Sequence, residues 1–306
     1  MNIHIGHSPD PDDAFMWYPL VHSPRHGRPG GGSGDGVASG DGPGDDAYSP
    51  LIDTGPYRFI HVLEDIQSLN DRSERADLEV TALSIHQFPH VADRYALTSC
   101  GASMGDGYGP MVVAPRDRRV EVADLTQIRI AVPGERTSAF LALSLLLGRR
   151  VPDYEVVPFD QIIAKVVAGD YDAGLIIHEG QLTYADAGLD CVVDLGRWWS
   201  QERGLPLPLG GNAIRRDLGS HMRPLCRILL NSIQYALDHR EQAVAYALQF
   251  ARDMGVSLAD RFVGMYVNQW TLDYGDRGRE AVRRFLTEAA DAGLVPHCGE
   301  LEIVEP

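Results

Sequence analysis

Residues 128–147 read IRIAVPGERTSAFLALSLLL, and the plan of the chain can be worked out from them. Ile128 to Val132 has the apolar pattern of a short strand, and Pro133-Gly134 ends it in a turn. Thr137 or Ser138 stands where an N-cap belongs, ahead of an apolar helix running through Leu147. Strand, tight turn and helix make an α/β unit. A helix that starts at such a turn presents unpaired N–H groups and the positive end of its dipole. Thr137, Ser138 and Ala139 are therefore candidate binders of an anion, although many α/β proteins begin helices this way.

The same alternation extends in both directions. Downstream, strands are expected at Tyr154–Pro158, Ala173–Ile177 and Cys191–Leu195, with a helix over Gln161–Ala168. Leu207 to Ile214 runs back, and helical patterns follow to about Leu294. Upstream, strands are expected at Asn2–His7, Tyr57–Leu63, Leu78–Leu83 and Pro110–Ala114. Asp10-Pro11 reads as an N-cap followed by proline at the first helical position, opening a helix through Leu20. Ser84 with Gln87 three residues later has the form of a capping box, so a helix is expected to start at Ser84. Strands alternating with helices predict an α/β fold with largely parallel sheets. One segment departs from this pattern. Between Gly27 and Asp46 nine residues are glycine, too little apolar surface to offset ordering. It reads as a disordered surface insertion within residues 24–56, a mobile lid being the other reading.

With 306 residues, 44% of them hydrophobic and 23% charged, the chain has the balance of a globular protein large enough for two lobes. The formal charge of −16, from 27 basic and 43 acidic side chains, argues against nucleic acid and against an anionic membrane. It leaves room for an anionic small molecule, because a helix start can hold a carboxylate against a negative global field. Cys100, Cys191, Cys226 and Cys298 are far apart and form no CxxC. They read as reduced thiols of a cytoplasmic protein, consistent with an N-terminus that has no basic and apolar leader. No apolar run approaches the roughly 20 residues that span a bilayer.

Several segments could carry chemistry. In GHSPDPDDAF, Gly6 to Phe15, a strand meets a helix start, and Ser8 with the amides after Asp10 would face a cleft. The plainer reading is a capped helix whose acids suit the dipole. Ser84 ends one strand and begins a helix, and is either a cap or a cleft hydroxyl. In AGLIIHEGQ, Ala173 to Gln181, His178 and Glu179 sit at the carboxyl end of a buried strand, where ligand-handling residues collect in open sheets. His178 is a candidate general base, or else a structural histidine bonded to a loop carbonyl. Trp198 and Trp199 read as core rather than as walls of an aromatic site. HEGQ lacks the second histidine of a zinc-hydrolase motif, and no phosphate-binding loop or G-x-S-x-G follows a strand. No metal or nucleotide cofactor is expected.

Taken together, GHSPDPDDAFMWYPL, VLEDIQSLN, LSIHQF, GYGPMVVA, IAVPGERTSAFLALSLL, AGLIIHEGQLTY, VVDLGRWW and GLPLPLG resemble, in order, the 1,4-dihydroxy-6-naphthoate synthase family of the futalosine route to menaquinone. The resemblance covers the chain to about Asp217. It implies a two-lobed type II periplasmic-binding-protein-like fold with a two-crossing hinge near Val112–Ala114 and Gly210–Ile214. Lobe I would comprise residues 1–112 and 214–306, and lobe II residues 113–213, with the ligand between them. It further implies a lyase that cleaves cyclic dehypoxanthinyl futalosine without a cofactor. By the same resemblance His178 is the base, Ser84 the cleft serine, and Ser138-Ala139 the carboxylate-binding pair. Where the family reads S-P-C-P-N-D-T-F, this chain has Ser8-Pro9-Asp10-Pro11-Asp12-Asp13-Ala14-Phe15. The added acids, Asp10 and Asp12, should weaken anion binding unless they face away. The alternatives are a solute-binding protein for a small carboxylate and a sibling chorismate dehydratase.

Overall fold

The computed structural model describes residues 1–21, 49–250 and 255–306. The Gly27–Asp46 insertion lies outside the described residues. Two sheets organise the rest. The first contains β1 (Asn2–His7), β2 (Arg58–Leu63), β3 (Val80–Ser84), β4 (Tyr95–Thr98) and β5 (Ser103–Gly105). The chain then builds the second sheet from β6 (Met111–Pro115), β7 (Ile130–Val132), β8 (Tyr154–Val156), β9 (Ala173–Ile176) and β10 (Leu189–Asp194). It returns to the first sheet with β11 (Leu207–Arg215) and ends there with β12 (Ile303–Val304). Strand order is β12-β4-β11-β3-β1-β2 in the first sheet, with β5 beside β11, and β10-β6-β9-β7-β8 in the second. The expected α/β alternation and its two lobes are present.

The sheets are less parallel than the alternation predicted. β1 is parallel to β2 and β3, and β7 is parallel to β8 and β9. β11 is antiparallel to β3, β4 and β5, and β6 is antiparallel to β9 and β10. The antiparallel strands are those that arrive from the other sheet. They mark where the chain passes from one sheet to the other, and each lies against the direction of its neighbours. The passages fall over residues 106–110 and 204–206, just before β6 and β11.

The helices are α1 (Pro11–Trp17), α2 (Ile66–Ser73), α3 (Phe88–Val91), α4 (Ser138–Leu146), α5 (Ile162–Val167), α6 (Leu195–Arg203), α7 (Met222–Asp238), α8 (Arg240–Ala247), α9 (Val256–Tyr266), α10 (Gln269–Leu272) and α11 (Gly275–Asp291). α1 is shorter than expected because Pro19 forces Tyr18–Leu20 into a 3-10 turn. α3 starts at Phe88, not at Ser84, and its N-cap position is Gln87 with no side-chain cap bond. The capping box at Ser84 does not form, because Asn70 on α2 holds both the Ser84 amide and its hydroxyl at 2.9 Å.

One hydrophobic cluster runs from Leu83, Ile85 and Met104 of the first lobe to Val112, Phe140 and Leu175 of the second. Trp199 is fully buried in it, edge-on to Phe285 at 5.4 Å, with its indole N–H on the Pro206 carbonyl at 3.1 Å. The reading of Trp199 as core holds.

Candidate functional site

Between the sheets lies a cavity where the ends of β3 and β11 face the starts of α1 and α4. Ser8, Ser84, Thr137, Ser138 and Ala139, all singled out from sequence, line it together.

α4 supplies its donor side. The Thr137 hydroxyl donates to the Gly134 carbonyl at 2.8 Å and accepts from the Phe140 amide at 3.3 Å. The Ser138 hydroxyl donates to the Leu209 carbonyl and accepts from the His86 amide at 3.2 Å. Both hydroxyls are thus committed, the first to the cap and the second to a latch between the lobes. The donors this turn offers are the first-turn amides of Ser138 and Ala139, which have no acceptor within the helix, reinforced by the helix dipole. Ser84 adds a hydroxyl proton, since its oxygen already accepts from Asn70 Nδ2 at 2.9 Å.

The turn is clamped to the other lobe. Arg136 N donates to Gln67 Oε1 at 3.1 Å, its carbonyl accepts from Asn70 Nδ2 at 3.3 Å, and His86 Nδ1 lies 3.1 Å from the Thr137 carbonyl. Gly134 permits this approach, because a Cβ there would sit 2.2 Å from Gln67 Oε1.

α1 supplies the opposite side. Its N-cap residue Asp10 makes no side-chain cap bond, and Asp10, Asp12 and Asp13 all line the cavity. The added acids do not face away, which overturns the condition under which they would be harmless. Loss of water around Asp12, and then the neighbouring Asp13 and Asp10 charges, push its carboxyl well above the usual range. Burial raises Asp13 to about 7, against the opposing hydrogen bond from the Ser8 amide to its Oδ2 at 2.8 Å. Near neutral pH the cluster therefore carries less negative charge than its composition suggests. Behind it, His7 Nδ1 meets the Ser8 carbonyl at 2.9 Å and His7 Nε2 meets His61 Nδ1 at 2.8 Å. Burial lowers this pair to about 3 and about 4, so both rings are neutral.

His178 is the sequence candidate that the structure does not bring to the cavity wall. Its neighbour Ile177 lines the cavity. His178 is 6% exposed, and its ring packs edge-on against Phe159 at 5.4 Å. Both residues lie just beyond β9, where His178 keeps an extended backbone, and adjacent side chains of an extended chain point to opposite sides.

Asn70, Gln67, Asn212 and Tyr266 were missed. Asn70 was detectable in sequence as a polar residue on the apolar face that Ile66 and Leu69 mark at helical spacing. Tyr266, whose hydroxyl donates to Gln181 Oε1 at 2.8 Å, comes from α9, far along the chain, and had no local signal. Among the described residues, no helix is long and apolar enough to cross a membrane, and no group of three His, Cys, Asp or Glu side chains is placed to hold a metal.

A family model described as menaquinone biosynthesis matches residues 3–291. A protein of Thermus thermophilus named "1,4-dihydroxy-6-naphtoate synthase" is 38% identical over 293 residues, 95% of each chain. One of Streptomyces coelicolor with the same name is 35% identical over 302 residues, 97% of this chain and 96% of that one. A crystal structure of an Archaeoglobus fulgidus protein is 40% identical, with a TM-score of 0.79, covering 96% of this chain and 98% of that one. A Candida albicans protein described as exhibiting the generic periplasmic binding protein fold superposes with a TM-score of 0.67 at 11% identity, covering 100% and 98%. That last likeness shows the fold alone.

Proposed function

The chain belongs to the menaquinone biosynthesis family, and from that premise we infer that it is a lyase of the 1,4-dihydroxy-6-naphthoate synthase type. The observation that carries this reading is similarity along nearly the whole chain to two curated enzymes of that name. We propose cyclic dehypoxanthinyl futalosine as the substrate. Its carboxylate would lie on the Ser138 and Ala139 amides with the Ser84 hydroxyl, in a cleft whose shelter from water strengthens these bonds. A base would remove a proton next to the substrate carbonyl. The electron pair would move to expel the sugar-derived fragment, and the ring would aromatise. Proton transfer alone carries this chemistry.

His178 is the first proposed base, from its place at the end of β9. A second reading is favoured by one observation: Asp13 lines the cavity and is raised to about 7, where a carboxylate is matched to proton abstraction near neutrality. Incubation with cyclic dehypoxanthinyl futalosine should yield 1,4-dihydroxy-6-naphthoate by mass. A folded protein that binds the compound and returns it unchanged would be a solute-binding protein, and the lyase reading would fall.

A further inference from the structure

β11 crosses the floor of the cavity beside β3. Its register pairs Gly210 with Ser84 and Asn212 with Ala82. Directly paired residues of an antiparallel ladder point to the same face, so Ser84, Gly210, Asn212 and Ala82 share the cavity side, and all four line it. Asn212 is two residues from Gly210, about 7 Å along the strand at the ordinary rise.

Asn212 is 2% exposed, and its carboxamide orientation is fixed. Nδ2 donates to the Gly101 carbonyl at 2.9 Å, so a flipped amide would set oxygen against oxygen. The backbone carbonyl of Asn212 is held separately by Thr98 Oγ1 at 3.0 Å. Oδ1 is left buried with no hydrogen-bond donor. A buried acceptor without a partner is costly, about 1–3 kcal/mol, and such an atom in a cavity wall calls for a donor from outside the chain, a water or a ligand group.

Gly210 is the second signal. Glycine weakens a strand interior and often marks a bulge, and the register of β11 against β5 does shift between Pro208 and Gly210, but no neighbour excludes a side chain here. A Cβ at position 210 would meet only Leu83 O and Ser103 Cβ, each at an ordinary 3.7 Å. The space that Gly210 leaves therefore opens on the cavity.

We propose that Asn212 and Gly210 form a second, uncharged subsite, in which Asn212 Oδ1 accepts a hydrogen bond from a hydroxyl of the substrate and Gly210 admits its flat ring. The proposal rests on the synthase reading and adds a specificity-determining residue to it. The anion at the start of α4 fixes one end of the ligand, and Asn212 reads the hydroxyl-bearing end.

The test measures the affinities of 1,4-dihydroxy-6-naphthoate, kept under argon against oxidation, and of 2-naphthoate, which has the ring and carboxylate but neither hydroxyl. The folded protein should prefer the dihydroxy compound by about tenfold, the worth of one hydrogen bond to a buried acceptor. Asn212→Leu should bring the ratio close to one by weakening the dihydroxy compound alone. Gly210→Ala, which the fold accommodates, should weaken both compounds at least tenfold at an unchanged melting temperature. An unaltered ratio in Asn212→Leu, or wild-type affinities in Gly210→Ala, overturns the subsite and leaves the synthase reading standing. Should the wild-type protein bind neither naphthoate while still forming 1,4-dihydroxy-6-naphthoate from the substrate, the subsite falls and the synthase reading stands.

Discussion

α1 and α4 both begin at a strand end and point their first turns into the same cavity, yet they present opposite chemistry. α4 has a hydroxyl N-cap, Thr137, and no acid in its first turn, so its amides and dipole face the cavity as donors. α1 has Asp10 at the N-cap position, unused as a cap, and Asp12 and Asp13 in the first turn. The backbone device is the same. Three side chains decide whether a helix start turns backbone donors or carboxyls toward the cavity. The proposed function divides the labour accordingly, with binding on the α4 side and proton handling on the α1 side.

The largest expected effect tests the proton side. If Asp13 is the base, Asp13→Asn lowers kcat by about 10²–10⁴-fold with little change in KM, and the wild-type rate profile inflects near 7. His178→Asn, made in parallel, then keeps most of its turnover. If His178→Asn instead loses turnover at an unchanged melting temperature while Asp13→Asn keeps it, the α1 side is not the proton side and the contrast breaks.

Next comes the binding side. Ala139→Asp puts into α4 the charge that α1 already carries. At about 4 Å and an effective dielectric of 20, like charges repel by about 4 kcal/mol, part of which the helix dipole offsets. Naphthoate affinity should fall about a hundredfold relative to Ala139→Asn, its uncharged isostere. Equal affinities of the Asp and Asn variants, measured by titration calorimetry, would mean that the anion does not sit on this turn.

A smaller effect concerns the charge of the acid cluster. The folded-state pKa of Asp12 is raised above its unfolded value. Its contribution to stability is therefore fully present below the unfolded value near 4 and is lost as pH rises through the raised one. Asp12→Asn removes that loss. The variant should melt a few degrees above wild type at pH 8 and level with it at pH 4. The buried neutral histidines work in the other direction: His7, His61 and His86 are lowered to about 3 to 4, so their stability is present above 6.5 and is lost as pH falls towards those values. A variant that melts higher at pH 4 than at pH 8, relative to wild type, would put the sign of the Asp12 argument in error.

The smallest effect compares the two caps. Thr137→Ala removes the hydroxyl from the Phe140 amide and should cost about 1 kcal/mol, a shift of about 2–4 °C. Asp10→Ala removes no side-chain cap bond and should not show that loss in calorimetric melting. Equal destabilisation of the two would mean that α1 is capped after all.

Much of this was legible in the chain itself. Residues 128–147 specify strand, turn, cap and helix through local rules, and β7, Thr137 at the N-cap and α4 follow them. The cavity positions of Ser8, Ser84 and Thr137 to Ala139 were likewise readable, because strand ends and helix starts are where open α/β sheets expose backbone donors. Tertiary structure decided what those atoms are free to do. Ser84 does not cap a helix because Asn70, fourteen residues earlier, holds it. The Ser138 hydroxyl is taken by Leu209 and His86, which only lobe packing brings near. His178 sits at the predicted strand end, but the face it occupies depends on where β9 stops and how Phe159 packs. The protonation of Asp12 depends on how much water the folded chain leaves around three neighbouring carboxyls. Local pattern reports which groups a chain offers, since capping and periodicity act within a few residues. Which of those groups remain unspent is settled by contacts between residues far apart in sequence, and those exist only once the two sheets have met.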